Sequence, residues 1–327
     1  MKNFKFNAIT ALIVGLNMAA VNAADGPILN DGLDNTATGQ NVIVIGHKSV
    51  VGGENSTSIG TNTTADGINA LALGTDAKAK VTNPAAANSN KPANLIAIGT
   101  NAKSEAAETV AIGESAKASK HNANAFGSKA KAEGESSLAL GSGSYAKEDS
   151  SVAIGNDSNA TAKSSVALGE STNATAIFAT AVGDSATASG VRSFAAGLNS
   201  NAQSDDSIAI GANTSSTVRG ISIGAEASAY HQGISVGYKS NASGIGSIAT
   251  GVETSASGLS SIASGSNAVA SSTGSVAIGE QSKATAGYGL AIGAKAKAEH
   301  SSSVALGNGS ETKQAKSVKN ATVNNLS

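Results

Sequence analysis

Bulky apolar residues recur along this chain in pairs, separated by one small residue and closed by glycine. Val152-Ala153-Ile154-Gly155, Val166-Ala167-Leu168-Gly169, Ile208-Ala209-Ile210-Gly211 and Val276-Ala277-Ile278-Gly279 are examples. Nineteen such glycines run from Gly46 to Gly307, and fifteen of the eighteen intervals between them are fourteen residues. The two intervals flanking Gly224 are thirteen, and the one from Gly74 to Gly99 is twenty-five. A fixed period of this length is the signature of stacked structural repeats, each contacting its neighbours.

Alternation at period two over such short windows predicts β-strands rather than helix. The first strand of a repeat is typified by Ser151 to Ile154. The second is typified by Ser158 to Ala162, with Ala160 and Ala162 on one side and Asn159, Thr161 and Lys163 on the other. The closing glycine supplies a turn, and a second glycine often falls seven residues earlier, as at Gly39, Gly53, Gly67, Gly134, Gly190, Gly244 and Gly258. The expected fold is all-β, a flattened parallel β-solenoid of about nineteen fourteen-residue repeats. The second strand reads as half buried, whereas the first is apolar on both faces and so needs cover on both. The expectation is that Val152, Ile154, Ala160, Val166, Leu168, Ile208, Ile210, Val276 and Ile278 fill the roll core. The small face of the first strand (Ala111, Ala153, Ala167, Ala209 and Ala277) then meets sister chains in a symmetric homo-oligomer.

Composition sharpens this picture. Aromatics make up 3% of the chain and Trp is absent, so a wide core cannot be filled but a thin one can. Residues 1–23 read as an export signal, with Lys2 and Lys5, an apolar run from Ala8 to Ala20, and a small-x-small site at Val21-Asn22-Ala23. Residues 24–39 read as a lead-in, 40–310 as the repeat array, and 311–327 as the start of a connector. Loss of the signal would leave 20 basic against 23 acidic residues, with no electrostatic footprint for nucleic acid. Without cysteine the chain has neither disulfides nor thiolate metal sites.

Candidate chemistry is sparse. Ser222 and Ser235 lie in G-x-S-x-G patterns, but each holds the middle triplet position where alanine is usual, with no strand–helix alternation around it. His47, His121, His231 and His300 map to turns without metal-ligand spacing and read as solvated. Sequons such as Asn159-Ala160-Thr161 follow from the repeat itself. Lys78, Lys80, Lys117, Lys129, Lys131, Lys295 and Lys297 alternate outward beside the alanines and read as a solvated face able to meet an acidic partner. The insertion from Val81 to Pro92 holds two of the three prolines, which forbid ladder pairing and make it bulge. Its residues Val81, Asn83, Pro84, Asn88, Asn90, Lys91 and Pro92 form a candidate ligand loop. No catalytic residue, cofactor or metal is expected; the chain reads as a non-enzyme.

Ser151-Val152-Ala153-Ile154-Gly155, with Val166-Ala167-Leu168-Gly169 and Ser275-Val276-Ala277-Ile278-Gly279, resembles the repeated head motif of YadA-type trimeric autotransporter adhesins. The resemblance covers about residues 40–310. It implies a left-handed parallel β-roll, a homotrimer, export to a Gram-negative surface, and binding to collagen, laminin, fibronectin or another host ligand. The alternatives are a non-binding spacer or fibre segment, or an inactive remnant. Such adhesins continue into a coiled-coil stalk and a shared membrane barrel, and residues 311–327 show no heptad run or barrel strands. A truncated frame, secretion, or anchoring by a separate partner is therefore expected, with no membrane anchor supplied by this chain.

Overall fold

The computed structural model describes residues 29–30, 34–82 and 93–314, which contain strands and turns and no helix. The protein is a parallel β-solenoid of about nineteen turns. It divides into two compact units, Met1–Arg192 and Ser193–Ser327. Residues 1–23, read from sequence as an export signal, and most of 311–327, read as the start of a connector, lie outside the described residues.

Most described turns of the first unit carry a triplet strand and a doublet strand, as in Val152–Ile154 followed by Asn159–Ala160. Successive triplets pair in parallel at a step of fourteen: Val152 faces Val166, Ala153 faces Ala167, and Ile154 faces Leu168. Successive doublets do the same, Asn159 facing Asn173 and Ala160 facing Ala174. The longer interval leaves the step unbroken, because Leu71 pairs directly with Ile96 across the insertion. Leu29–Asn30 already pairs with Ile43–Val44 in the same register, inside the segment read from sequence as a lead-in. In the second unit the thirteen-residue repeats also keep register, with Ile208 opposite Ile221 and Ile221 opposite Ile234.

The turns are as ordered as the strands. After the triplet, Gly155 adopts φ +132°, and the next coil's Gly169 carbonyl approaches so closely that no Cβ would fit. Two residues later Asp157 is left-handed (φ 51°), and at the other end of the coil Ser150 is too (φ 58°). Their amides donate to Ser142 and Glu135 of the coil before, both at 2.8 Å. The turn backbone is thus paired coil to coil, leaving few orphan polar groups along these edges.

The interior is made of alanine and serine. Ala153, Ala160, Ser151 and Ser158 are fully buried. These two buried hydroxyls are satisfied locally: Ser151 donates to the Glu148 carbonyl (2.5 Å) and Ser158 to that of Gly155 (3.0 Å). Val152 and Ile154 point the other way and are only partly buried. The triplet therefore faces opposite to the sequence expectation. Val152, Ile154, Val166, Leu168, Ile208, Ile210, Val276 and Ile278 lie on the outside, while Ala111, Ala153, Ala167, Ala209 and Ala277 line the core. Of the expected core residues only Ala160 is inside. The reason is width: the turn from Gly155 to Ser158 carries the chain to the opposite wall in four residues, leaving room for methyl and hydroxymethyl groups only.

The first coils show the exception that follows from the same geometry. Val42, Val44, Val51 and Leu95 are buried there. Glycines make the room, since a Cβ on Gly67 would lie 2.9 Å from Leu95 Cδ1 and one on Gly39 3.0 Å from Val42 Cγ1. Large and small residues exchange across the two walls at nearly constant filling.

Candidate functional site

With the interior filled by its own side chains, mostly Ala, Ser and Thr, chemistry with other molecules falls to the two outward sheet faces and the turns. In each unit the triplet face carries exposed apolar side chains. Ile59 and Leu140 stand on it in the first unit and Ile210, Ile223 and Ile278 in the second, each more than a third exposed.

The doublet face is polar. In the first unit it carries Lys78, Lys103, Lys117 and Lys131 on four successive strands, in register with one another. Sequence reading singled out Lys78, Lys117 and Lys131 and missed Lys103, which lies four residues after Gly99 just as Lys117 lies four after Gly113. Lys117 sits between Glu105 (3.7 Å) and Glu133 (3.5 Å), and Lys80 pairs with Asp66 at 2.9 Å. The ladder is capped by Tyr145, whose hydroxyl donates to Glu133 Oε2 at 2.8 Å and whose ring lies 5.8 Å from Lys131 Nζ. Burial first, then this hydrogen bond and the nearby carboxylates, push the Tyr145 phenol up to about 12. In the second unit Lys283, Lys295 and Lys297 border a shallow groove with Asn267, Gln281 and Glu311, and Glu311 is ion-paired to Lys297.

The insertion leaves the doublet edge at Thr82, whose amide donates to Glu105 O (3.0 Å), and rejoins at Ala93, whose amide donates to Ile68 O (3.0 Å). Val81 packs partly against the core. The rest of the candidate ligand loop (Asn83, Pro84, Asn88, Asn90, Lys91 and Pro92) lies outside the described residues.

The serines in the hydrolase-like patterns are interior. Ser222 Oγ donates to Ser215 O (2.7 Å), and Ser235 Oγ lies 2.7 Å from Ser240 Oγ. The histidines are in turns: His47 is near Asp34 (3.6 Å), His121 near Glu108 (3.5 Å), His231 against Tyr230, and His300 near Thr312. Among the described residues no three His, Cys, Asp or Glu side chains gather as metal ligands would.

A family model described as the YadA head domain repeat (2 copies) matches residues 37–63, 52–77, 65–83, 96–116, 105–130, 118–144, 132–158, 146–171, 160–186, 174–200, 188–214, 231–254, 256–282 and 284–310. Among solved structures the chain is similar to the collagen-binding domain of the Yersinia adhesin YadA, at 19% identity and a TM-score of 0.19, covering 76% of this chain and 88% of that one. No curated protein sequence matches the chain.

Proposed function

The chain belongs to the YadA head domain repeat family, and on that premise we propose that it is the adhesive head of a surface adhesin, associated into a homotrimer through its triplet face. The observation that carries the reading is the division of the two outward faces. One carries exposed apolar side chains in each unit, Leu140 in the first and Ile210 and Ile278 in the second, which water disfavours and the same face of a second copy fits. The other is polar and repeats at every coil, so that a ligand with its own repeat meets many weak contacts at once. Residues 1–23 act as the export signal in this proposal, and the head is displayed at the bacterial surface.

The test has two arms. Light scattering of the purified chain gives three copies per particle, and stable monomers would remove the basis for pairing this face. Immobilised collagen, laminin and fibronectin then report adhesion as saturable binding by confirmed trimers. Trimers that bind none of them identify the roll as a spacer.

A further inference from the structure

We infer that the doublet face of the first unit is a docking strip for a linear sulfated polysaccharide, built on the in-register lysines Lys78, Lys103, Lys117 and Lys131. The inference rests on the adhesive reading above and names a ligand class for it. The four ammonium groups occupy adjacent strands, one per coil, at a step of about 4.8 Å. Like charges placed directly opposite one another in a sheet repel. The same column beyond Tyr145 holds Asn159, Asn173 and Thr187, so the fold has no need of lysine there. The strands on either side of the insertion pair directly, so that Lys78 and Lys103, twenty-five residues apart, are neighbours in the ladder.

The surrounding carboxylates do not neutralise the row. Glu105 and Glu133 both hold Lys117, and Glu133 also accepts from Tyr145. Asp66 holds Lys80, and Asp76 accepts from Asn62 in the turn; Glu114 lies in the next turn and Lys129 adds a further cation beside it. Lys78, Lys103 and Lys131 have no carboxylate partner among the described residues. A row of flexible point charges suits a chain with anions along its length. It suits duplex DNA less well, because phosphates there advance by about 3.4 Å per strand. Single strands need free aromatic faces for stacking, and the one ring at the ladder is covered by Lys131 and tied through its hydroxyl.

The experiment compares the purified chain with the double variant Lys78→Gln/Lys103→Gln on immobilised heparin over a salt series. A control variant, Lys48→Gln/Lys239→Gln, removes the same charge from turns away from the ladder. The parent binds, and the ladder variant loses about tenfold in affinity with a salt slope shallower by about 1.5, as loss of two anion contacts requires. The control changes less than about twofold, and the ladder variant melts no lower than the parent because a repulsion has been relieved. Absence of heparin binding by the parent overturns the assignment, as does equal loss in the control, undiminished binding to desulfated heparin, or tighter binding to duplex DNA. The same preparations are assayed on collagen, laminin and fibronectin. Retained matrix binding without heparin binding sinks the ladder assignment and leaves the adhesive reading standing, whereas heparin binding lost only in the ladder variant upholds it whatever the matrix result.

Discussion

Gly155 and Gly169 stack so closely that a methyl group on the first would lie 2.2 Å from the carbonyl oxygen of the second. Gly155 also sits at φ +132°, where L side chains are strained. Gly155→Ala therefore meets two independent objections, and a destabilisation of about 3 kcal/mol or more is expected. In a stacked array the damage is local. Hydrogen exchange should accelerate in the coils on either side of residue 155 and stay at parent rates in the second unit.

The reversed facing of the triplet makes neighbouring residues respond in opposite ways. Ala153→Leu overfills a coil with no spare width and should lower the unfolding free energy by about 1–3 kcal/mol or more. Ile154→Ser removes an outward side chain, so the coil should remain folded while association weakens. Circular dichroism melting and light scattering on both variants separate the two effects. Loss of secondary structure in Ile154→Ser with none in Ala153→Leu would return Ile154 to the interior.

Phe178 holds a left-handed conformation (φ 60°) with 57% of its surface exposed. Left-handed geometry costs an ordinary residue roughly 1–2 kcal/mol, and asparagine relieves part of this by local hydrogen bonding. Asn122 occupies the equivalent turn position four coils earlier. Phe178→Asn should therefore stabilise the chain by about 0.5–1 kcal/mol, read as a higher urea midpoint with unchanged slope.

Asp149 supplies a pH dependence. The Glu135 amide donates to its Oδ1 (2.9 Å) and Lys120 Nζ to the same oxygen (3.2 Å), and together they hold the carboxyl below its usual 3.8. A group whose folded pKa is depressed contributes stability above its unfolded pKa and loses it as pH falls through the folded value. Melting temperature should thus drop on acidification from just above 3.8 downward, and Asp149→Asn should flatten that part of the profile. An identical acid limb in the variant would place the dependence on other carboxylates.

The fourteen-residue step was legible because it is written in glycine, and the glycines proved to be the stacked turns at Gly155 and Gly169. The facing of the triplet is not legible from bulk, because in a roll this thin the bulky residues stand outside. The chain carried a better signal in its own variation. The outward columns tolerate Val152, Phe126, Asn124, Thr250 and Ser264, as an open side can, while the inward columns hold mainly Ala, Ser and Thr, as a narrow one must. Lys103 falls outside the lysine–alanine pattern because Ser104, not alanine, follows it. The left-handed Asp157 and Ser150 were not foreseen, since polar turn residues give no sign of positive φ in composition alone. Their columns still leave a trace: no Val, Ile or Thr occurs among the described non-glycine residues with positive φ.

Because Val152 meets Val166 and Asn159 meets Asn173 at one and the same offset, any coil can take its neighbour's place. A duplication or deletion of one whole period in the gene would shift all downstream partners together and leave their pairing intact, whereas a change of any other size must be absorbed between paired strands, as between Leu71 and Ile96, or in a shortened corner, as near Gly224. The number of coils is thus a quantity that replication slippage can adjust in discrete increments.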